Sequence, residues 1–280
     1  VQLDHPFRGS QAVRDGLLTR HALAADFQRV YRDVYVPKAV EIDAVVKARA
    51  AQVFAGDDAI ICGLSASAVH GAKWIDAREP AELIWPRRKR QLDGILVRYD
   101  SLADADVTSL GDMTLTTVPR TMFDLARRLP RLRALQSVDA LANASGVSVG
   151  EAQELVRTNP GVRGVTRAAE VLSLADGGAK SPQETRVRLL LLDAGLPRPE
   201  TRVRIRDEFG HVFACCDLGW SRWKVAVMYD GSPHRTREQI DRIDEVDWAV
   251  VRVDSEQLKL RPLAVVERVR ATLRAAGAPV

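Results

Sequence analysis

The chain has 280 residues, 46% of them hydrophobic, and 41 lysines and arginines stand against 37 aspartates and glutamates, a formal charge of +4 at pH 7. A chain of this size can bury a substantial core and is nearer two domains than one. No run approaches the roughly 20 apolar residues of a membrane span, and the mildly basic balance permits a nucleic-acid partner without demanding one. Cys62, Cys215 and Cys216 have neither metal-ligand spacing nor the density of a disulfide framework, and no basic-then-apolar leader opens the chain. The expectation is a reducing, cytoplasmic setting with no membrane partner.

Residues 7–37 read as helix, turn, helix, hairpin. Ser10 is the expected N-cap of a helix over 11–15 closed by Gly16, and Thr19 caps a second helix over 20–25. Strand residues follow over 27–36, with Arg32 and Asp33 where a tight turn would reverse the chain. That order fits a small winged helix or a generic α+β cap. Next come a helix over 43–53 and a second, rich in small residues, over 64–71. Strands are expected over 83–85 and 95–99, flanking a strongly basic connection, and a third over 114–118. Pro119 is well placed as a first-turn proline for a helix over 120–128, whose apolar stripe is Met122, Phe123, Leu125, Ala126 and Leu129.

Residues 134–175 read as helical, with breaks at Gly146, Pro160 and Gly161. The glycine-bearing segment 176–180 is the expected flexible boundary between domains. Beyond it, Ser181 and Pro182 start a helix to residue 194, with Val187, Leu189, Leu190 and Leu191 toward a core. Strands follow over 201–206, 212–217, 224–230 and 248–253. A charged helix is expected over 236–247, and Pro262 opens a terminal helix. The order α-β-β-β-α-β-α implies a mixed sheet flanked by helices.

Metal-dependent phosphodiester cleavage needs several hard oxygen ligands converging on one or two divalent cations. Asp217 and Asp230 close two successive strands, Glu184 lies in the first turn of the preceding helix, and His234 follows shortly after. Ordinary strand-end turn chemistry is the other reading of the two aspartates. The runs 181–184, 194–199, 217–220 and 227–236 resemble an actinobacterial family whose C-terminal domain is similar to the very-short-patch-repair endonucleases, of the restriction-endonuclease-like PD-(D/E)xK class. The resemblance implies metal positions at Glu184, Asp217 and Asp230 for Mg or Mn, and a general acid/base at His234. Many members carry a glutamate just before the position of Tyr229; here it is Met228, a thioether and a poor ligand for magnesium. Met228 and Asp230 share strand parity, so the sulfur is expected to face the space between Asp217 and Asp230. The helix after His234 is also shorter than the family's usual one.

The N-terminal runs 18–20, 29–37, 65–71 and 118–126 resemble antitoxins of the AbiEi type, in which a winged helix binds DNA and represses its own operon. The resemblance implies double-stranded DNA, and a cognate toxin, as partners. Arg20, Arg29 and Arg32 are the expected contacts of that unit. Arg87, Arg88, Lys89 and Arg90 form the densest positive run, a phosphate-neutralising loop or a solvated turn, and Arg202, Arg204 and Arg206 share one strand face as a phosphate track or a solvent-facing edge. The fold class expected is a multidomain α/β and α+β chain. It has a winged-helix-like unit over 1–40, a mixed α/β middle domain over 41–176 and a restriction-endonuclease-like mixed sheet over 181–280. A DNA-binding regulator or antitoxin-like repressor with a degraded metal site stands beside a Mg-dependent DNA endonuclease, and a protein-binding adaptor is a third reading.

Overall fold

The computed structural model describes residues 3–86, 92–230, 243 and 245–280. The chain is mixed α/β, its described residues form three sheets, and it divides into two compact units, Val1–Ala175 and Asp176–Val280. Among the described residues no helix is long and apolar enough to cross a membrane.

The first unit begins with β1 (Phe7–Arg8), α1 (Gly9–Arg14), α2 (Arg20–Asp26), β2 (Phe27–Tyr31) and β3 (Val34–Pro37), whose strands form an antiparallel sheet in the order β1-β3-β2. Thr19 caps α2 by accepting from the Ala22 amide. Ser10 does not cap α1: it lies inside the helix, and Arg8 takes the N-cap position. The Ser10 hydroxyl and amide instead donate to Asp33, at 2.6 and 2.8 Å. Asp33, at φ 62° in the turn between β2 and β3, therefore ties that turn to the start of α1. A sequence pattern shows the local capping preference of a serine, and here a residue 23 positions away outcompetes it.

The small sheet packs on α3 (Ala44–Ala55), capped by Asp43. Arg8 donates to the Phe54 carbonyl at 3.0 Å, Tyr31 donates to the Gly94 carbonyl at 3.2 Å, and the Tyr31 and Phe54 rings lie 6.2 Å apart. Burial there pushes the Tyr31 phenol up to about 12. A five-stranded sheet follows in the order β6-β5-β4-β8-β7, from β4 (Ile60–Ile61), β5 (Ala81–Ile84), β6 (Ile95–Arg98), β7 (Val107–Leu110) and β8 (Met113–Thr116). Strands β4 and β7 escaped the sequence reading because one is only two residues long and the other is half polar. Ile61, Leu83, Ile95, Val97 and Leu115 form the sheet's share of the core, against Ala48, Ala51 and Ala66 from the helices. Small residues let α4 (Gly63–Val69) lie close: a Cβ on Gly63 would come within 2.6 Å of the Glu82 carboxylate. The remainder is α5 (Val118–Arg128), α6 (Arg131–Ser145), α7 (Val149–Thr158) and α8 (Val165–Leu174), broken at the glycines and proline that the sequence marks.

The second unit contains α9 (Pro182–Asp193), β9 (Glu200–Arg206), β10 (Val212–Trp220), β11 (Val225–Tyr229), β12 (Ala249–Val253) and two helices, Ser255–Leu260 and Pro262–Ala275. The sheet order is β12-β11-β10-β9, with β11 and β12 parallel and the other pairs antiparallel. Alternation along β11 sends Val225 and Val227 into a cluster with Val187, Leu191, Val265 and Val269. Ala226 and Met228 enter a second cluster with Val203, Ile205, Cys216 and Ile243. The charged helix expected over 236–247 falls largely outside the described residues.

The segment 176–180 is not a loose linker. Asp176 accepts from the Gly178 amide at 2.8 Å and from the Thr201 hydroxyl at 3.0 Å, and Arg202 donates to the Gly178 carbonyl at 2.9 Å. The glycines that suggested flexibility are needed for close approach, since a Cβ on Gly178 would lie 1.9 Å from the Thr201 oxygen.

Candidate functional site

Ser181 caps α9 by accepting from the Glu184 amide at 3.3 Å, and its hydroxyl donates to the Glu184 carboxylate at 3.0 Å. The same carboxylate accepts from the Lys180 amide at 2.8 Å, which closes a reciprocal cap. Glu184 is 9% exposed. Burial, and secondarily the negative charge of Asp217, raise its pKa against the lowering by the Lys180 hydrogen bond. Glu184 and Asp217 thus lie within electrostatic reach of each other.

Asp217 accepts from the Tyr229 amide at 2.8 Å, across from β11. It stands where the strand alternation slips, because Cys216 belongs to one buried cluster and Leu218 to the other. Between the paired residues Val203 and Thr201 on the facing strand, Arg202 has φ 54°, a left-handed conformation within a strand. The irregularity leaves Asp217 partly buried at the switch point.

Asp230 does not join them. Its carboxylate is engaged by Arg252 on β12, with Nε and Nη2 both 3.1 Å away, and its amide donates to the Val253 carbonyl at 2.8 Å. Met228 also departs from expectation. It is 3% exposed and packed among apolar side chains, so its sulfur faces core and not an open space between two aspartates. His234 lies outside the described residues. Among the described residues no three His, Cys, Asp or Glu side chains come together as a metal site requires. Glu184, Asp217 and Asp230 are not gathered into one such group. Arg188, four residues after Glu184 in α9, was not singled out from the sequence and is wholly buried; its i, i+4 spacing was the available signal.

The basic residues fare differently. Arg20 is exposed at the start of α2, and Arg29 and Arg32 are exposed on and just after β2. Arg29 and Arg32 line, with Arg8, Tyr31 and Phe54, a cavity of about 910 Å³. Arg202, Arg204 and Arg206 are exposed on the edge strand β9, but two are committed: Arg202 to Gly178 and Arg206 to the Gly210 carbonyl at 2.7 Å. Arg87, Arg88, Lys89 and Arg90 lie outside the described residues.

A buried charged constellation in the first unit was missed. On α5, Arg120 reaches Asp106 at 2.7 Å and Asp124 and Asp100 at 3.2 Å. Arg127 holds Asp124 at 2.8 Å, and both Arg127 and Arg128 bind Asp100. Asp124 is completely buried. Burial by itself lowers the Arg120 pKa, and Asp124, Asp106 and Asp100 more than restore it. Beside this network Arg98 pairs with buried Glu82 at 2.8 Å. The spacing of Arg120, Asp124, Arg127 and Arg128 at three and four residues was legible, but the partners at 100 and 106 come from another segment.

The chain is 27% identical over 249 residues to two uncharacterized proteins of Mycobacterium tuberculosis, MT2308 and Rv2248, a match that covers 86% of this chain and 90% of each relative. No protein-family profile matches the chain. No solved structure matches it.

Proposed function

We propose that the protein is a double-stranded-DNA-binding regulator, an antitoxin-like repressor in which the N-terminal helices and hairpin act as a winged helix. The second unit is then a nuclease-like fold with a degraded metal site. The observation that carries this reading is the set of exposed cations Arg20, Arg29 and Arg32 on a short capped helix and the hairpin that follows it, an arrangement that offers a groove probe and a wing. A cognate toxin is the protein partner this reading brings by resemblance. The second unit supports the regulator side, because Arg252 neutralises Asp230 and Met228 is sealed in a core; binding of Mg or Mn there is weak.

Electrophoretic shift with duplex DNA at stepped salt tests it. Affinity should fall by about one unit of log–log slope for each phosphate contact, and combined alanine changes at Arg20, Arg29 and Arg32 should weaken binding and flatten the slope. Unaltered binding by that triple variant sinks the assignment. The endonuclease reading keeps one supporting observation, the proximity of Glu184 and Asp217. Plasmid nicking with magnesium or manganese that disappears in Asp217→Ala is the result that favours it.

A further inference from the structure

The α5 network is balanced within itself, since Arg98, Arg120, Arg127 and Arg128 face Glu82, Asp100, Asp106 and Asp124. Its outer side opens into a cavity of about 710 Å³ in the first unit, where Arg98, Arg127, Arg128 and their partner Asp100 are joined by Arg163 and Arg167, so that arginines outnumber the one lining carboxylate. Those last two are exposed, and neither forms an ion pair with any described residue. They supply two positive charges that the fold leaves uncompensated, concentrated in a concavity beside three more arginines.

The backbone adds to this field. Gly164, which lines the cavity, is the N-cap of α8, a ten-residue helix with no side-chain cap and no acidic residue in its first turn. The first amide of that helix, Val165, donates to the Val162 carbonyl at 3.1 Å, and no acidic side chain offsets the positive end of the helix beside the cavity. Gly164 at φ 85° is also what allows the approach, because a Cβ there would lie 2.5 Å from the Arg127 carbonyl oxygen. On the rim, Tyr99 presents a side chain that is 57% exposed.

We infer that this cavity is a binding site for the phosphate of a nucleotide, in which Arg163, Arg167, Arg127, Arg128 and the start of α8 hold the anion and Tyr99 stacks on the base. Arginine forks match phosphate oxygens in two-point contacts. The volume lies within the roughly 300–1,000 Å³ of small-molecule sites and exceeds what a lone phosphate fills. The same terminal phosphate can come from a free nucleotide or from the 5′ end of a nucleic acid.

Calorimetric titration of the full chain with adenosine 5′-diphosphate, inorganic pyrophosphate and adenosine tests the inference. The two phosphates should bind and adenosine should not. Alanine at Arg163 or Arg167 should each weaken binding about tenfold, as expected for the loss of a charge-assisted hydrogen bond. Alanine at Arg157, an exposed arginine paired with Glu154 and outside the cavity lining, should leave it unchanged. Both cavity positions are exposed, so the variants should melt as the parent does. Competition by a 5′-phosphorylated oligonucleotide, but not by its 5′-hydroxyl form, identifies a nucleic-acid end as the source; its absence identifies a free nucleotide. No heat with either phosphate probe at millimolar concentration, or equal affinity in the Arg163→Ala, Arg167→Ala double variant, overturns the inference. Arg20, Arg29 and Arg32 are outside this cavity, so failure here and failure of duplex binding are read separately.

Discussion

Met228 is 3% exposed against Val203, Ile205, Cys216, Ala226 and Ile243, so a glutamate at this position would enter an apolar cluster, and its cross-strand neighbour Arg252 is already engaged by Asp230. Met228→Glu should therefore destabilise the second unit by roughly 3 kcal/mol and not rebuild a metal ligand, whereas Met228→Leu should cost under about 1.5 kcal/mol. Denaturant midpoints of the two variants check this; a well-folded Met228→Glu protein with new cation affinity would falsify it. His70 gives a pH signature in the other unit. Burial lowers its pKa below 6.5, although the Thr116 carbonyl, 2.8 Å from Nε2, acts in the opposite direction. With the folded value depressed, the unfolded chain takes up the proton first. Stability present above about pH 6.5 should be lost as pH falls through that value toward the folded one. Thermal melts between pH 7.5 and 5.5 should show this loss, and His70→Gln should remove part of it.

The starts of two helices illustrate opposite uses of an element's positive end. In α9 the hydroxyl of Ser181 and the carboxylate of Glu184 satisfy the first-turn donors internally. Ser181→Ala should cost about 1 kcal/mol and also release a carboxylate that burial already disfavours as an anion. In α8 the start is left uncapped beside arginines, and Gly164 is fixed by both its φ and its neighbour. Gly164→Ala should cost at least about 1 kcal/mol, read as a lowered melting temperature. A variant as stable as the parent would mean that α8 does not press on Arg127 as described.

Each unit carries its own apolar clusters, with Ile61, Leu83 and Leu115 in one and Leu191, Val227 and Val269 in the other. Fragments 1–175 and 176–280, produced separately, should each unfold cooperatively. Cutting there leaves 176–180 with the second unit, where Asp176, Gly178, Thr201 and Arg202 hold each other. Tryptic cleavage after exposed Lys180 should consequently be slow and should accelerate in Thr201→Val. Rapid cleavage of the parent at this point would restore the reading of this segment as a loose tether.

The sequence by itself determined most of the elements, because helix caps, first-turn prolines and alternation of apolar residues are local properties. Thr19, Asp43, Ser181, Pro119 and Pro262 stand where helices begin, and 28% charged residues left enough apolar ones to mark the strands. It also put Glu184 in the first turn of a helix and Asp217 on a strand, although that strand runs on to Trp220 instead of closing at Asp217. Only the tertiary structure decided which partners those side chains meet. Asp230 belongs to Arg252, Ser10 to Asp33, and Arg120 to aspartates on a separate segment, pairings between residues 14 to 23 positions apart that no local pattern encodes. The parity argument put Met228 on a shared face with Asp230, yet whether that face is open or sealed depends on Ile243, which arrives from beyond the strand. The arginine cavity is the clearest case: its residues come from a strand end, a helix end and a loop, and charge concentrates there only because the chain folds back on itself.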